Sequence, residues 1–109
     1  MPAAVAPTRC LVLWFPDWPV TAWRRAEDQA ADGPLAVVEA NQVVACSAAA
    51  HAEGVTAGQR RREAQSRCPD LQVVNADPVR DERQFAPLVD RLEQVAPGVQ
   101  IVRPGLATL

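Results

Sequence analysis

The chain has 109 residues, 49 % of them apolar and 22 % charged, with a formal net charge of −2 at pH 7. That length suits one small domain with one modest core, and the composition excludes a disordered chain. No apolar run approaches the roughly 20 residues of a membrane span, and the slight acidity excludes a binder that is basic all over.

Met1 to Pro7 carry neither a basic leader nor a long apolar stretch, so no secretory signal is expected and the cytoplasm is the expected location. Cys10, Cys46 and Cys68 are an odd set, far apart and without a CxxC pair. They predict reduced, structural thiols, with no metal site and no cofactor. All 11 basic residues are arginine.

Residues 10–15 are a short continuous apolar run, which predicts a strand buried on both faces that stops at Pro16. Asp17-Trp18-Pro19 reads as a helix start, with the helix continuing from Val20 to about Ala31 and ending at Asp32-Gly33-Pro34. Residues 35–39 and 43–46 are β-rich and separated by Ala40-Asn41-Gln42, the pattern of an antiparallel hairpin. Residues 48–53 predict a turn or two of helix before Gly54. Thr56 to Gln59 has the spacing of a capping box, opening a second helix that ends near Arg67, before Cys68-Pro69.

Residues 71–74 form another strand candidate. Asp77-Pro78 caps a longer helix in which Phe85, Leu88, Val89, Leu92 and Val95 recur on one face, interrupted by Pro87, where a kink or a late start is expected. Residues 99–102 alternate as a last strand. The order β-α-β-β-α-α-β-α-β predicts an α+β fold.

Several motifs in this order resemble the palm and fingers of Y-family translesion DNA polymerases. Gly54-Val55-Thr56-Ala57-Gly58, then Ala64 and Cys68-Pro69-Asp70-Leu71, match the family's turn, helix and strand entry without a gap. Pro34 to Val38 looks like a fingers strand, and Val43 to His51 like its partner strand and following helix. The resemblance implies a partial palm, with a ferredoxin-like antiparallel sheet and a packed helix, over residues 1–19 and 78–109. A small fingers subdomain would be inserted over residues 20–77.

Active members of that family hold two divalent ions with carboxylates on the first strand and an Asp-Glu pair on a later one. At those positions this chain has Trp14, Pro16, Gly105 and Leu106, none of which can ligate magnesium, an oxygen-seeking ion. The tyrosine and basic residue that grip the triphosphate align with Ala48 and His51. The resemblance therefore implies a pseudo-polymerase. Leu13-Trp14-Phe15-Pro16-Asp17-Trp18-Pro19 and Arg103 to Ala107 are similar to the ImuB-type branch of the family. That branch implies an adaptor of bacterial mutasomes, acting at the nucleoid on DNA damage. It joins ImuA and an error-prone replicative-type polymerase, ImuC, and binds the sliding clamp through segments further downstream. The chain is then expected to be the amino-terminal part of a longer protein, with an exposed sheet edge open to homodimerisation.

Other readings compete. Arg60-Arg61-Arg62 is the basic run expected to touch a DNA backbone, or else a solvated face paired with Glu53, Glu63 and Asp70. Trp14, Trp18 and Trp23 are core residues or a stacking platform. Asp17 is a helix N-cap or a lone metal ligand. His51 is a helix-surface residue, with Ser47 or Cys46 as a nucleophile set aside for want of a third orienting group. Two further functions stay open: a polymerase with rearranged ligands such as Asp17, Glu39 or Glu93, and an interaction module that does not touch DNA.

Overall fold

The structure is a computed structural model describing residues 11–29, 33–96 and 98–108. Cys10 and Ala31 lie outside the described residues, but the first helix already stops at Ala26, capped by Glu27, short of the expected end near Ala31. In chain order the elements are β1 (Val12–Trp14), α1 (Trp18–Ala26), β2 (Leu35–Glu39), β3 (Gln42–Cys46) and α2 (Ala48–Ala52). Then come α3 (Arg61–Arg67), β4 (Gln72–Asn75), α4 (Pro78–Val95), β5 (Gln100–Arg103) and β6 (Leu106–Thr108). The fold is α+β, as the sequence predicts, with a closing hairpin in place of a single last strand.

Two three-stranded sheets result. One has the order β1-β6-β5 and is antiparallel throughout, and the other has the order β3-β2-β4. In the second, β2 runs antiparallel to β3 and parallel to β4. The β2–β3 turn places Ala40 at φ 50° and Asn41 at φ 63°. Two successive left-handed residues match the right-handed twist of the flanking strands, which is why so short a connection can close the hairpin.

α1 joins the two sheets through both its sides. Trp18 and Ala22 pack with Phe85 and Val89 of α4 and Ala107 of β6. Val20 packs on the opposite side with Leu35, Val37 and Ala45. The other face of the second sheet presents Ala36, Val38, Val43 and Cys46 to Ala50, Val55, Ala64 and Cys68. β2, sandwiched this way, is buried from Leu35 to Val38.

Strand β2 is therefore the doubly covered one, whereas the sequence assigns that property to the first strand. Leu11, Val12 and Trp14 are 56, 55 and 64 % exposed, because nothing among the described residues covers the outer face of β1. Three other expectations need adjusting. The Gln59 side chain does reach back, accepting from Thr56 N–H at 3.0 Å and donating to the Gly54 carbonyl at 2.9 Å. That closes a turn through Gly58, and the helix begins two residues later, at Arg61. Pro87 lies inside α4 without ending it, on an exposed side where its missing N–H is least costly. Val95 ends the apolar stripe in solvent, 86 % exposed.

Two stability consequences follow from the packing around Trp18. Gly105 sits at φ +92°, and a Cβ there would lie 2.5 Å from Trp18 Cβ, which is held in a helix and buried. Gly105→Ala is expected to cost about 1–3 kcal/mol in a denaturant titration, since both the conformation and the overlap oppose it. Asp81, whose carbonyl accepts the Trp18 indole N–H at 2.9 Å, has one buried carboxylate oxygen without a hydrogen-bond partner. Burial pushes its pKa up from 3.8, countered by Arg80 and assisted by Asp77. A raised folded value means stability is fully present at low pH and is lost as pH rises through it. Asp81→Asn should raise the melting midpoint near neutral pH and change it little near pH 4, as thermal melts at the two pH values would show.

Candidate functional site

β1 and β6 lie side by side with Val12 opposite Thr108, Leu13 opposite Ala107 and Trp14 opposite Leu106. Ala107 is buried, so the alternation of side chains puts Trp14 and Leu106 together on the other, open face. The Phe15 N–H donates to the Gly105 carbonyl at 2.7 Å, fastening the end of β1 to the β5–β6 turn. Trp14, Gly105 and Leu106 thus meet at one junction. A cavity of about 300 Å³ opens there, bordered by Trp14, Trp18, Pro19, Arg103, Pro104 and Gly105.

Pro16 stands slightly apart. It borders a neighbouring cavity of about 300 Å³ with Asp17, Thr21, Ser47, Ala48 and His51. Asp17 reaches both cavities, and the turn carrying Pro16 is what brings them next to each other. Across the junction and the neighbouring cavity, Trp14, Pro16, Leu106 and Gly105 offer an indole, a pyrrolidine ring, an isobutyl group and a bare backbone. These groups offer apolar contact and stacking, and the carboxylate that borders both cavities is that of Asp17.

Asp17 departs from the role expected of an N-cap. It takes a left-handed conformation, φ 57° and ψ 37°, and makes no side-chain bond to its own helix. Its carboxylate instead crosses to the second sheet, where Oδ1 accepts from Cys46 N–H at 3.2 Å and Oδ2 lies 3.7 Å from His51 Nε2. An aspartate tolerates this backbone region better than most residues. The start of α1 is therefore tied to the end of β3 and to α2.

Around that tie the neighbours are well satisfied. Ser47 Oγ accepts from Leu35 N–H at 2.9 Å and Ala50 N–H at 3.2 Å, and donates to the Gly33 carbonyl at 3.3 Å. It caps α2 and has no capacity left for nucleophilic work. The Cys46 thiol donates to the Val55 carbonyl at 3.6 Å. Burial, and then the Asp17 charge, push its pKa up to about 11, so it is no thiolate at neutral pH. Cys46 and Cys68 are both free and buried, as expected of structural thiols.

The grouping of Asp17, Cys46 and His51 is what the sequence reading missed. No spacing along the chain announces it, because the three come from a helix cap, a strand end and a separate helix. The available signal was Asp17 following a proline turn, where its side chain is free to leave its own helix.

Arg60, Arg61 and Arg62 fall at the start of α3 and are all exposed. With Asn41 and Gln65 they border an open groove of about 470 Å³. Gln42 bridges Arg60, and Arg61 N–H donates to the Asn41 carbonyl at 2.7 Å, so the hairpin turn fixes this edge. The expected pairing of the run with Glu63 is not formed. Glu63 instead meets Arg67 at 3.7 Å, one helical turn on. Of the three tryptophans, Trp18 is buried, Trp23 is half-buried against the second sheet and Trp14 stands in solvent.

No curated protein matches the chain. Its fold superposes on a solved structure, the Y-family DNA polymerase chimera Dbh-Dpo4(243-245)-Dbh, with a TM-score of 0.79 and 19 % sequence identity. The match covers 92 % of this chain and 31 % of that one, so the chain spans under a third of the polymerase's length. The profile of the impB/mucB/samB family, IMS, matches residues 13–105, from the strand before Trp14 through Gly105. The chain belongs to the impB/mucB/samB family and is a Y-family polymerase-like domain.

Proposed function

We propose that this domain is the palm-and-fingers part of a non-catalytic adaptor of the ImuB type in bacterial DNA damage tolerance. The observation that carries the reading is the β1–β6 junction, where Trp14 faces Leu106 and Gly105 backs onto Trp18. Two-metal phosphoryl transfer needs carboxylates gathered at such a junction to hold the ions that activate the hydroxyl and neutralise the phosphates. Residues 14, 16, 105 and 106 supply none of them.

The nucleotide grip supports the same reading. At Ala48 and His51, where the family's active members hold a triphosphate, the cavity already contains a carboxylate, that of Asp17 beside His51. Ala48 has no hydroxyl to offer a phosphate, and the His51 imidazole is already turned to that carboxylate at 3.7 Å. The alternative of rearranged ligands finds less support. Glu39 borders a groove at the β2–β3 turn with Asn41 and Arg61, away from Asp17, and Glu93 is exposed on α4.

The adaptor would join ImuA, ImuC and the sliding clamp through other segments of the full-length protein, while this domain keeps a share of DNA contact. The groove of Arg60, Arg61 and Arg62 supports that share, since exposed guanidinium groups without a carboxylate partner among the described residues suit a phosphate backbone. The open edges of the first sheet, β1 and β5, leave self-association as a further expectation of the isolated domain.

The full-length protein is expected to give no primer extension above background with magnesium or manganese. Robust incorporation would overturn the reading. The triple variant Arg60→Glu, Arg61→Glu, Arg62→Glu should weaken binding to primer-template DNA and flatten its salt dependence by about 1–3 units of log–log slope. Unchanged affinity and slope would assign the domain to protein contacts alone.

A further inference from the structure

We infer that Asp17, Cys46 and His51 form a binding site for a borderline-soft divalent cation such as zinc, clasping the start of α1 to the end of β3 and to α2. The inference is independent of the adaptor reading. One ligating atom from each residue lies within 4.8 Å of the others. A tetrahedral zinc with bonds of about 2.0–2.3 Å needs ligand atoms roughly 3.3–3.8 Å apart. The Asp17 Oδ2 to His51 Nε2 distance, 3.7 Å, already has that value. The sulfur has to approach by about 1 Å and to leave its bond to the Val55 carbonyl.

The chemistry of the set is selective. Imidazole, thiolate and one carboxylate suit zinc or cobalt, whereas magnesium favours oxygen alone. The cavity shared by Pro16, Thr21, Ala48 and His51 leaves a fourth position open to water. Two supports orient the ligands. Asp17 Oδ1 is held by the Cys46 N–H, leaving Oδ2 for the ion, and Ser47 caps the helix that carries His51. Arg24 also borders the cavity, with its guanidinium turned to the Gly33 carbonyl at 2.7 Å. On binding, Cys46 gives up its Sγ proton to solvent as the metal–sulfur bond forms. An ion here would hold one geometry between the two sheets at the point where Asp17 alone now bridges them.

Titration of the metal-free chain with cobalt(II) tests the site. The expected result is one equivalent bound, with thiolate-to-cobalt charge-transfer absorption and the visible bands of a tetrahedral ion. Cys46→Ser should abolish the charge-transfer band, and His51→Ala and Asp17→Asn should each weaken binding at least tenfold. Cys68→Ser should leave both readouts unchanged. His51 is exposed, so its variant keeps the test decisive if Cys46→Ser fails to fold. Absence of binding, or affinity unaltered by His51→Ala, would overturn the site.

Discussion

Trp18 is the residue on which the geometry of this domain depends. Its ring makes edge-on contacts with Phe15 and Phe85, with centroids 5.6 and 5.1 Å away, and its indole N–H is satisfied by the Asp81 carbonyl. One side chain thereby connects the end of β1, the start of α1 and the first turns of α4. Aromatic contacts of this kind add to area burial because the positive ring edge meets the negative face. Gly105 closes against the same residue from the β5–β6 turn. The junction holding Trp14 and Leu106 is thus framed by a packed cluster, and its position is a consequence of that cluster.

The second constraint is how one short helix serves two sheets. Trp18 and Ala22 are four apart and face α4, while Val20, two residues on from Trp18, faces β2 and β3. Such a helix needs apolar residues on opposite sides and small ones where the approach is tight, which Ala22 provides. Its polar residues are then crowded to the ends, and Asp17 is one of them. The Asp17 carboxylate, at the cap of α1, reaches Cys46 N–H at the end of β3 and His51 of α2. Packing and electrostatics converge on the same few residues.

The sequence makes the element types plain wherever local rules are strong. The β2–β3 hairpin follows from β-branched runs around Ala40-Asn41, α4 from its apolar stripe beginning at Asp77-Pro78, and the close of α2 from Gly54. It misleads where burial depends on partners far along the chain. The first strand and β2 are similarly apolar, yet only β2 is covered on both sides. The difference lies in α1 and in α2 and α3, which a local reading cannot place. The capping-box pattern at Thr56 fails for a related reason: Gly58 at φ +92° takes the chain through a turn before a helix can start. At the site, it is the family resemblance that groups Trp14, Gly105 and Leu106, and the β1–β6 register then places Trp14 opposite Leu106. The grouping of Asp17 with Cys46 and His51 had no such rule behind it, since it depends on the direction one left-handed residue gives its side chain.

The β1–β6 junction is constrained by its backbone as much as by its side chains. A different side chain at position 14 would meet open space on the outer face, where Trp14 is largely exposed. Position 105 is different, because any side chain there would have to displace the helix carrying Trp18. That displacement would disturb the Phe15 and Phe85 contacts and the bond to Asp81 together, since all of them converge on the same indole. Substitution is therefore cheap at position 14 and costs packing at position 105.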